Sequence, residues 1–434
     1  MKVIRLSSRV LRFSKSKSKP RWAERSEWNR GPRNGPIRSV RFPRAGSALG
    51  EPYGAIVRVI YQVTGNWHAI LALVATVSAT CVVPARDRSW RDCLGEDSEW
   101  YGSVEAQRIA DNVLLYQAEI GGWYKNDNSI HPSGHAATEA LTEEQRRAHQ
   151  DLLGKMRFPC TLDNGATHSE MRYLAAVCKA TGEARFREGF VKGVRYLLKA
   201  QYPSGGWPQF YPLRPGYSSR ITFNDGAMIG ALSVLDATAR GRAPFDIIDP
   251  PLRQECMRAV ERGITCILRC QIRDGEQLTA WCQQHEELTL APAQGRISEL
   301  PSISGAESVD VVRYLMSIKN PSAEVVAAVE GAVRWFRQAA VTGVRVVTVA
   351  DASLPGGKDR RIVEDAEAEP VWARYYEIGT NRPMFIEQGV VKYTLAELSH
   401  SHRTGHGWIG GRWPAGLLAV DYPAWREERT KNRD

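Results

Sequence analysis

The sequence predicts an all-α fold of helical hairpins, an α/α toroid in which long irregular loops form a groove on one face. The first observation behind this is an internal repeat. Leu114-Leu115-Tyr116-Gln117 is followed after three residues by Gly121-Gly122-Trp123, and Leu197-Leu198-Lys199-Ala200-Gln201 by Gly205-Gly206-Trp207. Ile267-Leu268-Arg269-Cys270-Gln271 leads in the same way to Gly275, with Trp281 further on. Each copy joins an apolar helix end, a glutamine whose amide can bond free carbonyls, and glycines that permit the positive φ that stops a helix. The second observation is the set of amphipathic segments between these turns: Glu170 to Lys179, Phe186 to Ala200, Ala227 to Thr238, Leu252 to Leu268, Ser304 to Ile318 and Ala323 to Ala339.

Composition bounds the rest. A chain of 434 residues, 43% hydrophobic and 24% charged, can bury a large core, which excludes global disorder and a disulfide miniprotein. The formal charge of +10 is concentrated at the start, where residues 1–60 carry 15 Lys and Arg against 3 Asp and Glu. Residues 61–434 carry 43 and 45, so the folded part is nearly neutral and no nucleic-acid partner is expected.

Taken in chain order, residues 1–60 are rich in Arg, Ser, Pro and Gly without an apolar period and read as a disordered basic leader. In the segment 61–85, the uncharged run Ala69-Ile70-Leu71-Ala72-Leu73-Val74-Ala75 continues to Ala79. It resembles a secretory h-region, too short to span a bilayer, with cleavage expected near Ala79 or Ala85. A signal segment so deep in the chain implies a native start downstream of Met1, between Val57 and Val63, and a secreted or periplasmic monomer without stable membrane insertion. A buried helix or strand is the competing reading of that run. The toroid domain is expected over 86–434. The eight cysteines form no tandem CxxC with matching histidines, which argues against structural zinc; Cys266 and Cys270, one helical turn apart, read as a reduced buried pair, and disulfide pairing stays open.

A toroid does not name a reaction. Neither DxDD nor DDxxD occurs, so the loops carry no terpene-cyclase signature. Four polar clusters stand at loop positions instead. Asp163 and Asn164 lie ahead of the helix starting near Ser169; Asp225 lies ahead of the one starting at Ala227; alone, each is an ordinary cap or turn residue. Arg296 opens a third cluster that ends with Glu307, placed to complete a capping box from Ser304. Trp372-Ala373-Arg374-Tyr375-Tyr376-Glu377 leads into Arg382, which Pro383 forces out of the α region.

Together with the repeats, the stretches LLYQAEIGGWYKN, TLDNGATHSEMRYLA, QYPSGGWPQFYPL, ITFNDGAM, TAWCQQHEELTLAPA, ELPSISGAES, GGKDRRIVEDAEAEPVWARYYEIGTNRPMF and GRWPAGLLAVDYPAW resemble the pectate lyases of polysaccharide lyase family 10, over roughly residues 100–425. The resemblance implies calcium-assisted β-elimination on α-1,4-polygalacturonate, giving 4,5-unsaturated oligogalacturonides. It assigns Asp163 and Asp225 to a Ca2+ ion, with Asn164 beside them on the substrate, Arg296 to a substrate carboxylate, and Arg382 to the Brønsted base. An arginine base needs a deprotonated fraction of a guanidinium that is almost always charged, so an alkaline optimum is expected. Trp123 and Trp207, as repeated turn residues, read first as packing, with sugar stacking the functional reading carried for Trp207; Lys358 reads as a contact to a further uronate or a solvated charge; His168 and His285 read as hydrogen-bonded structural residues. The chain departs from the family pattern at Gly226, where a second Asp is frequent, at Met384 to Gly389, where an Arg-Asp-Gly turn is common, and at Tyr124 in place of Pro. A toroid glycoside hydrolase with two carboxylic acids, or a non-catalytic pectin-binding relative, are the alternatives.

Overall fold

Helices form where the apolar stripes predict them, in a computed structural model that describes residues 90–124, 140–155 and 160–431. The basic leader and the signal-like segment lie outside the described residues. The chain divides into Met1–Val83 and Pro84–Asp434, and the second unit is the one described here.

Its helices are α1 (Val104–Leu115), α2 (Glu143–Lys155), α3 (His168–Thr181), α4 (Ala184–Ala200), α5 (Ala227–Ala239), α6 (Pro250–Cys270), α7 (Glu307–Met316) and α8 (Ala323–Gln338), followed by α9 (His400–Gly405) and α10 (Tyr422–Lys431). Several begin on side-chain caps. Ser103 accepts from Ala106 N, Asp249 from Leu252 N and Ser322 from Val325 N, each contributing about 1 kcal/mol. Gly182, at φ 73, ends α3 in the left-handed conformation that costs glycine little.

Three consecutive hairpins follow: α3 packs on α4, α5 on α6 and α7 on α8. The first members touch in series, α3 to α5 to α7, and so do the second members, α1 to α4 to α6 to α8. Composition explains which helices lie between others. Of the thirteen residues of α5 eleven are buried, the all-round apolar surface of a helix with neighbours on every side, whereas α4 and α6 keep a charged outer face. The packing is close enough to need glycine: a Cβ on Gly230 of α5 would lie 2.2 Å from the His168 ring.

The repeated glutamines close the hairpins. Gln117 donates to Gly121 O and Gly189 O, Gln201 to Gly205 O and Ala259 O, and Gln271 to Thr279 O and Ala328 O, all at 2.8–2.9 Å. Each amide thus ties its own turn to the next outer helix. The tryptophans are equally regular: Trp123, Trp207 and Trp281 are fully buried, and each indole N–H donates back to the helix it follows, at Val113 O, Leu197 O and Ile267 O. Trp372 makes the same bond to Phe336 O, a fourth copy without the Gly-Gly signal.

The loops are less irregular than expected. Short strands β1 (Cys160–Thr161) and β2 (Phe210–Tyr211) pair antiparallel, and β3 (Ile221–Thr222), β4 (Gln284–His285) and β5 (Pro292–Ala293) form a second sheet. A four-stranded sheet includes β6 (Ile303–Ser304). The hairpin of β7 (Val344–Ala350) and β8 (Lys358–Glu364) follows, and β9 (Trp372–Ala373) precedes β10 (Tyr375–Tyr376), β11 (Pro383–Glu387) and β12 (Val390–Lys392). The four-stranded order is β12-β11-β10-β6, and β13 (Ile409–Gly411) pairs with β9. The β7 run Val-Arg-Val-Val-Thr-Val-Ala is β-branched at five of seven positions, a strand signal that the helical reading passed over.

Cys160, Cys178, Cys256, Cys266, Cys270 and Cys282 are free and buried, and Cys266 Sγ lies 3.9 Å from Cys270 Sγ, beyond the roughly 2.05 Å of a disulfide. No described helix is long and apolar enough to cross a membrane.

Candidate active site

The buried tryptophans position the polar turns through their backbones. Thr161 N donates to Trp123 O, Thr222 N to Trp207 O and Ser304 N to Trp281 O, at 2.8–3.0 Å. Each of these strands runs straight into a polar turn: Asp163-Asn164-Gly165, Asn224-Asp225-Gly226, and Gly305-Ala306-Glu307. The next repeat locks the first two again, since Leu162 N donates to Gln209 O and Phe223 N to Gln283 O. One acidic residue per repeat is thereby delivered to the same end of the hairpins, at the N-termini of α3, α5 and α7, where the helix dipoles favour negative charge.

Asn164 (φ 52) and Asp225 (φ 50) occupy the same place in two successive turns, both left-handed and both followed by a left-handed glycine. Short polar side chains tolerate this conformation best. At the first turn Thr161 Oγ1 accepts from Asp163 N at 3.0 Å, and Arg91 donates to Asn164 O at 2.7 Å. The turns place Asp163 in the interior at 1% exposure and leave Asp225 exposed, with Asn224 Nδ2 donating to Asp225 at 2.6 Å.

Asp225, Asp163 and Glu307 form one electrostatic group. Partial withdrawal from water, the Asp163 and Glu307 carboxylates, and a hydrogen bond with Asp163 push the Asp225 carboxyl up to about 6, against the pull of Arg374. Burial would push Glu307 up as well, but Arg374, 2.8 Å away, and the Ser304 hydroxyl outweigh it and hold the carboxyl below its ordinary value. Glu307 Oε1 also accepts from Gln283 at 2.8 Å. Asn224 Oδ1 accepts from Gln283 at 3.0 Å and from Arg374 at 3.2 Å, and Tyr375 donates to Gln283 at 3.0 Å.

Four residues of this network were not picked out by sequence. Glu307 is hidden behind its capping role, since Ser304 Oγ does accept from Glu307 N at 3.2 Å, but the carboxylate accepts from Ser304 Oγ, Arg374 and Gln283 instead of closing the box. Arg374, Asn224 and Gln283 are scattered over three repeats; the available signal was that each lies within two residues of a Trp or Asp of the repeated pattern.

Asp163, Asp225 and Asn164 are brought together, Asn164 exposed and its carbonyl held by Arg91. Arg296 is half-exposed and ion-paired with Glu299; burial favours its neutral form, but the Glu299 carboxylate, with Tyr375 and Tyr217 nearby, wins and raises its affinity for a proton. His406, exposed at the same place, lies within electrostatic reach of both Arg296 and Arg374. Arg382 stacks on Tyr393, its guanidinium 3.7 Å from the ring centre, and Tyr393 in turn donates to Glu377 at 2.7 Å. Lys358 is an exposed residue at the start of β8, with its carbonyl accepting from His400. Trp207 is a correction. With no exposed surface and its N–H spent on Leu197 O, it packs the hairpin and cannot stack on a sugar. His285 has the structural role expected, Nδ1 donating to Leu290 O and Nε2 accepting from Cys282 N, with burial pushing it down to about 4. His168 corrects the hydrogen-bonded role expected of it: both ring nitrogens are buried without a hydrogen-bond partner, and the ring packs against Gly230 of α5.

Among the described residues no three histidine, cysteine or acidic side chains stand together as metal ligands. The Asp163–Asp225 pair does fit part of a calcium shell. Its donors are carboxylate oxygens, crowded enough that one is driven towards its protonated form, and a hard cation taking about six to eight oxygens can fill the remainder from water and substrate.

The pectic acid lyase family model matches residues 117–418. A solved family 10 polysaccharide lyase from Cellvibrio cellulosa is 35% identical, with a TM-score of 0.61 over 76% of this chain and 93% of that one. An aspartate-to-alanine mutant of a family 10 lyase from the same organism, solved with trigalacturonic acid, is 34% identical, with a TM-score of 0.60 over 76% of this chain and 96% of that one. No curated protein matches. Matched over more than two thirds of its length by the family model, and by a solved relative over most of both chains, the chain belongs to the family 10 polysaccharide lyases.

Proposed function

We propose that this lyase cleaves polygalacturonate by calcium-assisted β-elimination at the Asp163, Asp225 and Glu307 cluster, within an α/α toroid of the hairpins described above. The observation that carries the reading is the delivery of one carboxylate per repeat to the same end of the hairpins, with Arg374 bonded to Glu307 and Arg296 within electrostatic reach of Tyr375. The trigalacturonic acid held by a solved relative supports the substrate.

Asp163 and Asp225 would hold the ion. Bound there, calcium would supply charge neutralisation of the uronate carboxylate, which would make the neighbouring C5 proton easier to remove. Arg296 offers a planar fork to a substrate carboxylate, and the Gln283–Asn224–Arg374 network fixes Glu307 in place. When a base takes the C5 proton, the electron pair forms the C4–C5 double bond and the C4–O4 bond breaks, with O4 leaving to accept a proton from solvent.

The motif match gives the base role to Arg382. A second reading gives the base role to Arg296, which shares Tyr375 and His406 as neighbours with Arg374, while Arg382 rests on Tyr393; the Glu299 ion pair, which raises the proton affinity of Arg296, counts against it. Either guanidine acts in its minority neutral form, which ties the reading to alkaline pH. The polymeric substrate carries with it export of the enzyme, to the exterior or the periplasm.

Formation of ultraviolet-absorbing unsaturated ends from polygalacturonate, dependent on calcium and abolished by chelator, tests the reading. Reducing ends without unsaturation, or binding without cleavage, would overturn it.

A further inference from the structure

The outer face of α6 carries a feature that the cleft does not use. Leu252, Cys256, Ala259, Val260, Cys266 and Ile267 bury one side of this helix, while Arg258, Arg262, Thr265 and Arg269 recur at intervals of four, three and four and form an exposed stripe. At 1.5 Å per residue the outer arginines are about 16 Å apart along the axis. The turn after α4 is clamped over this stripe. A Cβ on Gly205 (φ +98) would lie 2.1 Å from Arg262 O, Gln201 donates to Ala259 O at 2.8 Å, and Arg262 donates to Gln201 Oε1 at 2.5 Å. Pro203 and Ser204 are thereby held as the wall of a cleft of about 430 Å³.

The cleft is rich in donors and poor in acceptors. Three guanidinium groups line it against one carboxylate, Glu261, in a chain whose residues 61–434 are otherwise almost neutral. Arg262 has Gln201, but among the described residues Arg258 and Arg269 have neither an ion pair nor a side-chain hydrogen bond, and the buried Ser204 hydroxyl has no partner. A row of forked cations fits a ligand that repeats its carboxylates along a chain better than it fits a single small anion. No aromatic ring lines the cleft, so it offers nothing on which a nucleobase could stack.

We propose that the α6 stripe and the Pro203–Ser204 turn form a second binding site for acidic polysaccharide, one that holds the polymer outside the catalytic cleft. The choice of polyuronate as ligand rests on the function proposed above. The site captures long chains and leaves short substrates unaffected.

The test uses the full chain carrying Arg258→Glu and Arg269→Glu together, with Arg258→Gln and Arg269→Gln as a milder pair. Native electrophoresis through gels containing polygalacturonate, with chelator present, reads retention away from calcium-dependent binding. Retention of the unmodified protein should weaken with salt, and the Glu pair should lower it about five-fold or more. Turnover of trigalacturonate should stay within about two-fold while KM for the polymer rises. Unchanged retention in both pairs overturns the site. So does equal retention by gels containing DNA or dextran sulfate, which would make it a general polyanion surface. If neither polymer nor trigalacturonate yields unsaturated ends, the lyase reading fails, and arginine-dependent retention on polygalacturonate still decides the site.

Discussion

The Asp225 carboxyl hydrogen-bonds that of Asp163, although the two belong to different repeats and precede different helices, α5 and α3. A pair of acids brought together by the fold is a cost to folding that a cation repays. Asp225 is held at about 6, above its ordinary 3.8. A raised carboxyl contributes stability that is complete below the ordinary value and is lost as pH rises through about 6. In chelator at pH 8, Asp225→Asn should therefore melt at a higher temperature than the parent, and calcium should stabilise the parent but not the variant, while lyase activity falls on the order of a hundred-fold or more. Calorimetry with and without calcium checks this; equal calcium stabilisation of both proteins would remove Asp225 from the ion.

The two candidate bases separate through Glu299. Its carboxylate is what raises the proton affinity of Arg296, to which it is ion-paired. Glu299→Gln should then move the ascending limb of the kcat profile to lower pH if Arg296 is the base, and leave it in place if Arg382 is. Arg296→Lys and Arg382→Lys complete the comparison. The base substitution should cost about 10²–10⁴ in kcat, and the other should act mainly on KM.

Much of this site was legible because its scaffold repeats. Gln117, Gln201 and Gln271 announced the turns, and Asp163 and Asp225 stood out as polar residues ahead of apolar helices. What could not be read was contact between repeats. Glu307 looks like a cap from its neighbours alone, and Arg374 becomes a site residue only once β9 and β10 lay it against Asn224 and Glu307. Trp207 failed in the opposite sense. Its spacing was informative, but an aromatic residue in a loop sequence carries no statement of its burial, and here the whole indole is interior. The β7–β8 hairpin has no helical period to announce it, because five of the seven residues of β7 are β-branched.

Gly226 offers a gain-of-function test. Its φ of +70 is one that Asp tolerates better than most residues, and a Cβ there would meet no atom within 4 Å. Gly226→Asp adds a carboxylate beside Asp225. The expected result is a several-fold lower calcium concentration for half-maximal activity, at a stability cost of about 1 kcal/mol or less in chelator. A titration of initial rate against calcium that shows no shift would place position 226 outside the reach of the ion.

Glu170 allows the scaffold beneath the site to be tested apart from the chemistry. It stands in the first turn of α3, 3% exposed, where its carboxyl accepts from the backbone N–H of Thr167. Burial pushes it up to about 7 in spite of Arg91 and the backbone donors. The sign follows as for Asp225. Below about pH 4.5 the acid is neutral whether the chain is folded or not; between there and about 7 the unfolded chain releases a proton that the folded one keeps, and stability falls. Above 7 the loss is complete, with an upper bound of about 3 kcal/mol. Glu170→Gln retains the acceptor for Thr167 and never ionises. Its melting temperature relative to the parent should rise between pH 5 and pH 8, and a difference that is flat over that range would mean that the carboxylate is fully compensated by Arg91.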